Sequence, residues 1–236
     1  EAAIRWGQAS VVRWLAENGA DVNCPDDDGS TAVYYAVESN FPDLVQVRAE
    51  CGADINQAGI QEYTPLILAA YGSHFEMVDC LISNGADVCA VALGEDALCA
   101  AVSTRKHRNH KVIARLILAG ALSPLHHTSE SPKLSPLQHA FDPSYFRLLI
   151  AAGVEPTKDD LIEISKNRNK RGCRWLMPML LKNPSLIEVL EDEELRALCT
   201  ETKVIEKAEQ QMKESEREWQ RLVWQFCHER VTELAM

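Results

Sequence analysis

The sequence has no stretch approaching the roughly 18 to 20 uninterrupted apolar residues that a membrane-spanning helix needs. Its amino end, beginning at Glu1, lacks the basic-then-apolar pattern of a secretory leader. These two absences predict a soluble globular chain with no membrane insertion. Positive charge is also scarce: 24 Lys and Arg stand against 35 Asp and Glu, a formal charge of −11, which opposes contact with a phosphate backbone and argues against a nucleic-acid partner. Cys24, Cys51, Cys80, Cys89, Cys99, Cys173, Cys199 and Cys227 form no Cys-x-x-Cys pair and no short run able to converge on zinc. Read as reduced thiols, they favour a cytoplasmic or nuclear setting. There is no Gly-rich phosphate loop, nucleophile elbow or His-Glu-x-x-His run, so catalysis has no visible seat and neither cofactor nor metal is expected. The 46% hydrophobic content still suffices for a substantial core, in one large domain or two small ones.

What the sequence does have is a period. Gly19-Ala20-Asp21, Gly52-Ala53-Asp54 and Gly85-Ala86-Asp87 are followed by weaker copies, Gly120-Ala121-Leu122 and Gly153-Val154-Glu155, with the glycines 33, 33, 35 and 33 residues apart. A second marker runs in phase: Thr31-Ala32-Val33-Tyr34-Tyr35-Ala36, Thr64-Pro65-Leu66-Ile67-Leu68-Ala69, the eroded Asp96-Ala97-Leu98-Cys99-Ala100-Ala101, and Ser135-Pro136-Leu137-Gln138-His139-Ala140. Thr or Ser at the head of each unit can cap a helix through its hydroxyl, Pro fits the first turn, and the alanines let a neighbouring helix come close. A second helix follows with helical apolar spacing, as in Val11, Val12 and Leu15 or Met77, Val78, Leu81 and Ile82, and stops at a glycine able to adopt the left-handed backbone conformation. One such pair cannot bury its apolar stripe alone, so the units must stack.

On these residues the chain resembles the ankyrin-repeat family, whose unit carries a T-P-L-H-x-A helix start and a G-A-D-V-N turn; Asp21-Val22-Asn23 and Asp54-Ile55-Asn56 match that turn. The resemblance covers about residues 1–155. It implies an all-α solenoid of stacked helix-turn-helix units with loop or hairpin fingers, and a protein-binding module with a concave docking face. It carries little about the partner, because the motif residues are structural in every unit. The first repeat starts halfway through its first helix and no initiating Met is present, so an excised piece of a longer polypeptide is expected.

Beyond the fifth glycine the pattern decays. Residues 158–168 and 173–182 are expected to form a last, atypical helix pair with a polar face, closing a repeat domain over 1–183. The extension 184–236 is expected to hold a helix over 186–199 and a long amphipathic helix over 202–235. In the latter Ile205, Ala208, Met212, Ser215, Trp219, Leu222 and Phe226 step by 3 and 4, a heptad seam broken by the serine. That seam can dock on the last repeat, support self-association, or take a partner helix.

Several clusters invite a chemical reading. Asp26-Asp27-Asp28-Gly29 resembles a fragment of a calcium loop but has no alternating ligand series and no distal Glu, and it falls where the repeat turns, so it reads as structural. His107 and His110 have ligand spacing, but four basic side chains from Arg105 to Lys111 would repel a cation, and a solvated basic loop is the plainer reading. The same stretch is expected to hold the extra residues of the longer spacing. His126 and His127 lie among Ser123-Pro124, Ser131-Pro132 and Ser135-Pro136, a turn-rich insert that also resembles proline-directed phosphorylation sites.

Four residues before each turn glycine stand Leu15, Arg48, Leu81, Leu116 and Leu149. Arg48 must reach water, find a carboxylate, or weaken the stack.

The docking residues implied by the family pattern are Asp27, Asp28, Ser30, Glu38 and Ser39 in one repeat, then Ile60, Gln61, Tyr63 and Tyr71, then Glu95, Ser103, Thr104, Arg105 and Asp142, running from acidic through aromatic to basic. Tyr63 and Tyr71 are the anchors expected at its centre, though either could instead simply cover a neighbouring helix. The competing reading is a regulatory or targeting segment of a larger enzyme, ubiquitin-ligase component or channel.

Overall fold

A computed structural model describes residues 9–59, 62–104, 109–121, 135–140, 142–155, 157, 160 and 202–234. The chain divides into two compact units, Glu1–Lys133 and Leu134–Met236.

The first unit is built from α1 (Ala9–Glu17), α2 (Ala32–Glu38), α3 (Pro42–Glu50), α4 (Pro65–Gly72), α5 (Phe75–Ser83), a minimal hairpin β1 (Val91–Ala92) and β2 (Glu95–Asp96), α6 (Ala97–Ser103) and α7 (His110–Leu118). Helices α2 and α3, α4 and α5, and α6 and α7 pair, while α1, α3, α5 and α7 stack in one row and α2, α4 and α6 in another. This is the all-α solenoid that the period predicts.

The motif residues do the work assigned to them. Thr31 Oγ1 accepts from Tyr34 N at 3.3 Å, and Thr64 Oγ1 accepts from Ile67 N at 3.4 Å. In the eroded third copy Asp96 takes over the cap, its Oδ1 accepting from Cys99 N at 2.8 Å. The turn glycines Gly19, Gly52, Gly85, Gly120 and Gly153 all sit between φ +83° and +100°, where a side chain would be strained. Ala36, Ala69, Ala70, Ala100 and Ala101 are completely buried, so the α2–α4–α6 row packs closely.

Neighbouring turns are also joined directly. Asn23 Oδ1 accepts from Asp54 N, and Asn56 Oδ1 accepts from Asp87 N, each at 2.7 Å. In the third turn the asparagine is replaced by Cys89, whose thiol donates to Gly120 O at 3.8 Å.

Val12 of α1 is buried as expected, but Val11 and Leu15 are exposed. Their counterparts one repeat on, Leu44 and Arg48, are buried, because α3 has a helix on either side of it in its row and α1, among the described residues, does not.

The second unit holds α8 (Pro136–His139), α9 (Pro143–Ala151) and α10 (Thr202–Leu234). Ser135 caps α8, its Oγ accepting from Leu137 N at 3.2 Å. Helix α9 packs on both α8 and α10 and buries Tyr145, Phe146, Leu148, Leu149 and Ile150. On α10, Met212, Ser215 and Leu222 of the heptad seam are buried, so this helix docks within its own unit. Ser215 is tolerated there because its hydroxyl donates to Gln211 O, one turn back, at 2.9 Å. The expected cap pair over 158–168 and 173–182 and the expected helix over 186–199 lie outside the described residues, apart from Asp160.

Candidate functional site

Tyr63 immediately precedes the Thr64 cap and Tyr71 lies one residue before the end of α4, which brings their rings edge to face at 5.8 Å and 78°. The Tyr71 hydroxyl donates to Glu95 Oε2, on the hairpin finger of the next repeat. Burial first, then the hydrogen bond and charge of Glu95, push the Tyr71 phenol above its ordinary range, so it stays protonated and remains a donor at neutral pH. Three residues expected from the sequence to share a surface, Tyr63, Tyr71 and Glu95, are therefore one half-buried cluster tying two repeats together.

A second tyrosine pair precedes it. Tyr34 and Tyr35 meet edge to face at 6.3 Å and 88°. Tyr34 is buried beneath Gly59, where an added Cβ would collide with its ring. Tyr35 donates to Asp26 Oδ2 at 2.5 Å, while Asp26 Oδ1 accepts from Asp28 N at 3.0 Å and Ser30 N at 2.8 Å. These bonds, led by that from Tyr35, hold the Asp26 carboxyl below its usual range. The run from Asp26 to Gly29 is thus a turn whose first carboxylate is spent on its own backbone and on α2.

The remaining predicted residues separate by exposure. Asp27, Asp28 and Glu38 are exposed, and Ser39 is half-buried at the end of α2. Ser30 and Thr104 are buried at 2% and 9% exposure, so their side chains are not displayed on the outer surface. Thr104 donates to Ala101 O at 3.3 Å and accepts from Asn109 at 3.5 Å, and Ser103 donates to Ala100 O at 3.0 Å, both finishing α6. Asp142 belongs to the second unit, where its carboxylate caps α9 through Ser144 N at 2.7 Å. Ile60, Gln61 and Arg105 lie outside the described residues, as do His107, His126, His127, Ser123-Pro124 and Ser131-Pro132.

The fate of Arg48 is now explicit. It is 8% exposed, its Nη2 donates to Val22 O in the preceding turn, and its Nε is buried without a partner. Of the three routes open in the sequence it takes none cleanly: it finds a carbonyl in place of a carboxylate. Desolvation lowers its pKa.

Two features escaped the sequence reading. Arg115 on α7 is also buried, but its Nε meets Asp79 Oδ1 on α5 at 2.5 Å, and that Asp is half exposed. Leu93, at the tip of the finger, combines φ +51° with 68% exposure, two properties a leucine normally avoids. The signal that could have revealed it is Leu93-Gly94 standing as a two-residue loop between two short strands. Among the described residues no three His, Cys, Asp or Glu side chains converge as metal ligands, and no helix is long and apolar enough to cross a membrane.

Comparison with known proteins places this geometry. A family model described as ankyrin repeats in many copies matches residues 1–47, and a second, described as ankyrin repeats in three copies, matches residues 44–122. An ankyrin repeat domain-containing protein SAT10 from Stachybotrys chartarum is 31% identical over 125 residues, 51% of this chain and 6% of its own length. The palmitoyltransferase Hip14 of Drosophila melanogaster is 35% identical over 86 residues, covering 36% of this chain and 14% of the fly protein. A neurogenic locus notch homolog protein 1 from Xenopus tropicalis is 37% identical over 98 residues, 41% of this chain and 4% of that protein. The chain therefore matches only a small part of each of these relatives.

Proposed function

Because the chain belongs to the ankyrin-repeat family, whose repeats are generally non-catalytic protein-interaction modules, we propose that it acts as a scaffold or adaptor, holding a partner polypeptide on the surface built by its fingers and first helices. The observation that carries this reading is the Tyr63–Tyr71–Glu95 cluster, next to an exposed leucine fingertip on the same hairpin as Glu95. Half-buried aromatics with their polar ends fixed are efficient anchors, since little side-chain freedom is lost on binding. Leu93 adds apolar contact at the tip, and Asp27, Asp28 and Glu38 supply an acidic flank. The surroundings proposed are a reducing cellular interior, in keeping with Cys24, Cys51, Cys80, Cys89 and Cys99 being free thiols. The repeat stack is proposed to run through residue 183, with 184–236 as an extension.

The test is partner affinity. With the partner captured and identified, isothermal titration against Tyr63→Ala and Tyr71→Ala should show losses of about 30-fold or more, the ~2 kcal/mol of an interface anchor. Affinities within about twofold of the parent, with the fold intact, sink the reading.

A second reading has its own support: the match to a palmitoyltransferase, an enzyme of which the matching region is 14%. On that reading the stack is a regulatory or targeting segment of a larger enzyme, ubiquitin-ligase component or channel, and catalytic or pore motifs elsewhere in the full-length protein decide for it. Self-association through 202–235 is disfavoured by the packing of Met212, Ser215 and Leu222 within their own unit, since a coiled coil on that seam would have to displace α9.

A further inference from the structure

Charge is segregated across the first unit. Among its described residues the lysines and arginines are Arg13, Arg48, Lys111 and Arg115, and all of them sit in the row of α1, α3, α5 and α7. That row is largely compensated: Arg13 meets Glu50 and Arg115 meets Asp79, each at 2.5 Å, and Lys111 lies 5.5 Å over the Phe75 ring. The fingers and the row of α2, α4 and α6 carry acids and, among the described residues, no Lys or Arg. The first finger turns through Asp27 and Asp28, closed by Asp26 N on Ser30 O at 2.9 Å. The second is closed in the same way by Gly59 N on Tyr63 O at 3.1 Å, with Glu62 at φ +61° in its turn. Asp27, Asp28 and Glu62 are exposed, and among the described residues no cation compensates them. The third finger ends differently, with Val91 and Leu93 44% and 68% exposed on either side of the buried Ala92.

An apolar fingertip next to acidic ones selects its occupant. A leucine and a valine displayed together lose water when an apolar side chain covers them, and that contact supplies affinity without choosing a sign of charge. The neighbouring fingers choose it. Uncompensated carboxylates repel a phosphate backbone and the equally acidic finger face of a second copy, and they draw in a cation from a distance. We propose that the docking face takes a cationic polypeptide segment. An apolar side chain of that segment rests on Val91 and Leu93, and its lysines or arginines face Glu62 and the Asp27-Asp28 turn. The inference rests on the docking face proposed above and adds the chemistry of what that face holds. It also gives the leucine at φ +51° a use, since a residue that favours the left-handed region would have spared the strain but offered no apolar contact.

The experiment titrates the full chain with acetyl-Lys-Leu-Lys-Lys-Leu-Lys-amide and follows the backbone amides of Glu62, Leu93 and Gly94 in a ¹H–¹⁵N spectrum. The control peptides replace every Lys by Glu, or every Leu by Ser. Two triple variants separate the fingers from bulk charge: Asp27→Asn, Asp28→Asn and Glu62→Gln on the fingers, against Glu17→Gln, Asp43→Asn and Glu76→Gln, which remove the same charge from α1, α3 and α5. The basic peptide should give a saturable shift at the fingertips that the Glu peptide does not, and the Ser peptide should bind more weakly. The finger variant should weaken binding by about tenfold, compounded from exposed pairs worth up to a few-fold each, and the other variant by less than about twofold. Equal weakening by the two variants, Glu or Ser peptides that bind as well, or no saturable shift up to ~10 mM overturns the proposal. If the fingertips are silent while Tyr63→Ala and Tyr71→Ala weaken the captured partner, the docking face stands and the cationic occupant falls. If the fingertips respond while those tyrosine variants leave the partner's affinity unchanged, the cationic site stands and the tyrosines are not its anchors.

Discussion

Replacing Arg48 by Leu should raise the melting temperature. The side chain occupies a position where Leu81 and Leu116 are wholly buried, yet it carries a guanidinium whose Nε has no acceptor. Removing an orphaned buried donor recovers about 1–3 kcal/mol. A leucine that fills the same space adds ~1–2 kcal/mol of apolar burial, part of which the arginine stem already supplies. Against this stands the lost bond to the Val22 carbonyl, about 1.5–3 kcal/mol for a charged donor. That loss is softened because Val22 lies in a half-exposed turn where water can replace the guanidinium. The balance is a gain of about 1 kcal/mol, equivalent to ~2–4 °C in a chain of this size. Thermal unfolding followed by far-ultraviolet circular dichroism measures it. An unchanged or lower midpoint would mean that the carbonyl bond and solvation at Arg48 outweigh its burial, and the reasoning would be wrong.

Other consequences follow from the same geometry. Asn56→Ala removes the acceptor for Asp87 N and should destabilise the first unit by about 1 kcal/mol, read as a lower urea midpoint with an unchanged slope. Leu93→Asn places at φ +51° a residue that tolerates the left-handed region, so stability should rise by ~0.5–1 kcal/mol while partner affinity falls; affinity unchanged would remove the fingertip from the interface. Tyr35→Phe deletes the foremost cause of the low Asp26 pKa, so that carboxyl should titrate nearer its ordinary value in a carbon-detected NMR titration. A depressed carboxyl pKa stabilises the fold fully above the unfolded value of about 3.9 and loses that contribution as pH falls through the folded one. The variant should therefore be less stable at neutral pH and lose less on acidification; an unmoved Asp26 titration would show that the backbone donors alone set it.

The solenoid was legible because the residues that mark the period are those that make it. Thr31 and Thr64 announce caps, the glycines announce the left-handed stops, and even the degraded third copy keeps an aspartate that caps as well as threonine does. The surface was less legible, since a family pattern assigns positions and not directions. Ser30 and Thr104 were expected at a docking face, but both are buried, and the second closes a helix end. The family pattern puts Tyr71 and Glu95 on one surface, but that one grips the other depends on the path of the finger between them, which spacing does not encode. Leu93 was overlooked because hydropathy patterning treats a leucine between short strands as ordinary, and only its dihedral angle and exposure reveal that it is not.

The asparagine bonds between turns reach 31 residues along the chain but only one layer through the stack. Tension entering at one end would be handed from Asn23 to Asn56 as if along rungs of equal strength. The two joints are matched, each closed by one amide oxygen on one backbone N–H, so a pull along these repeats meets the same latch twice.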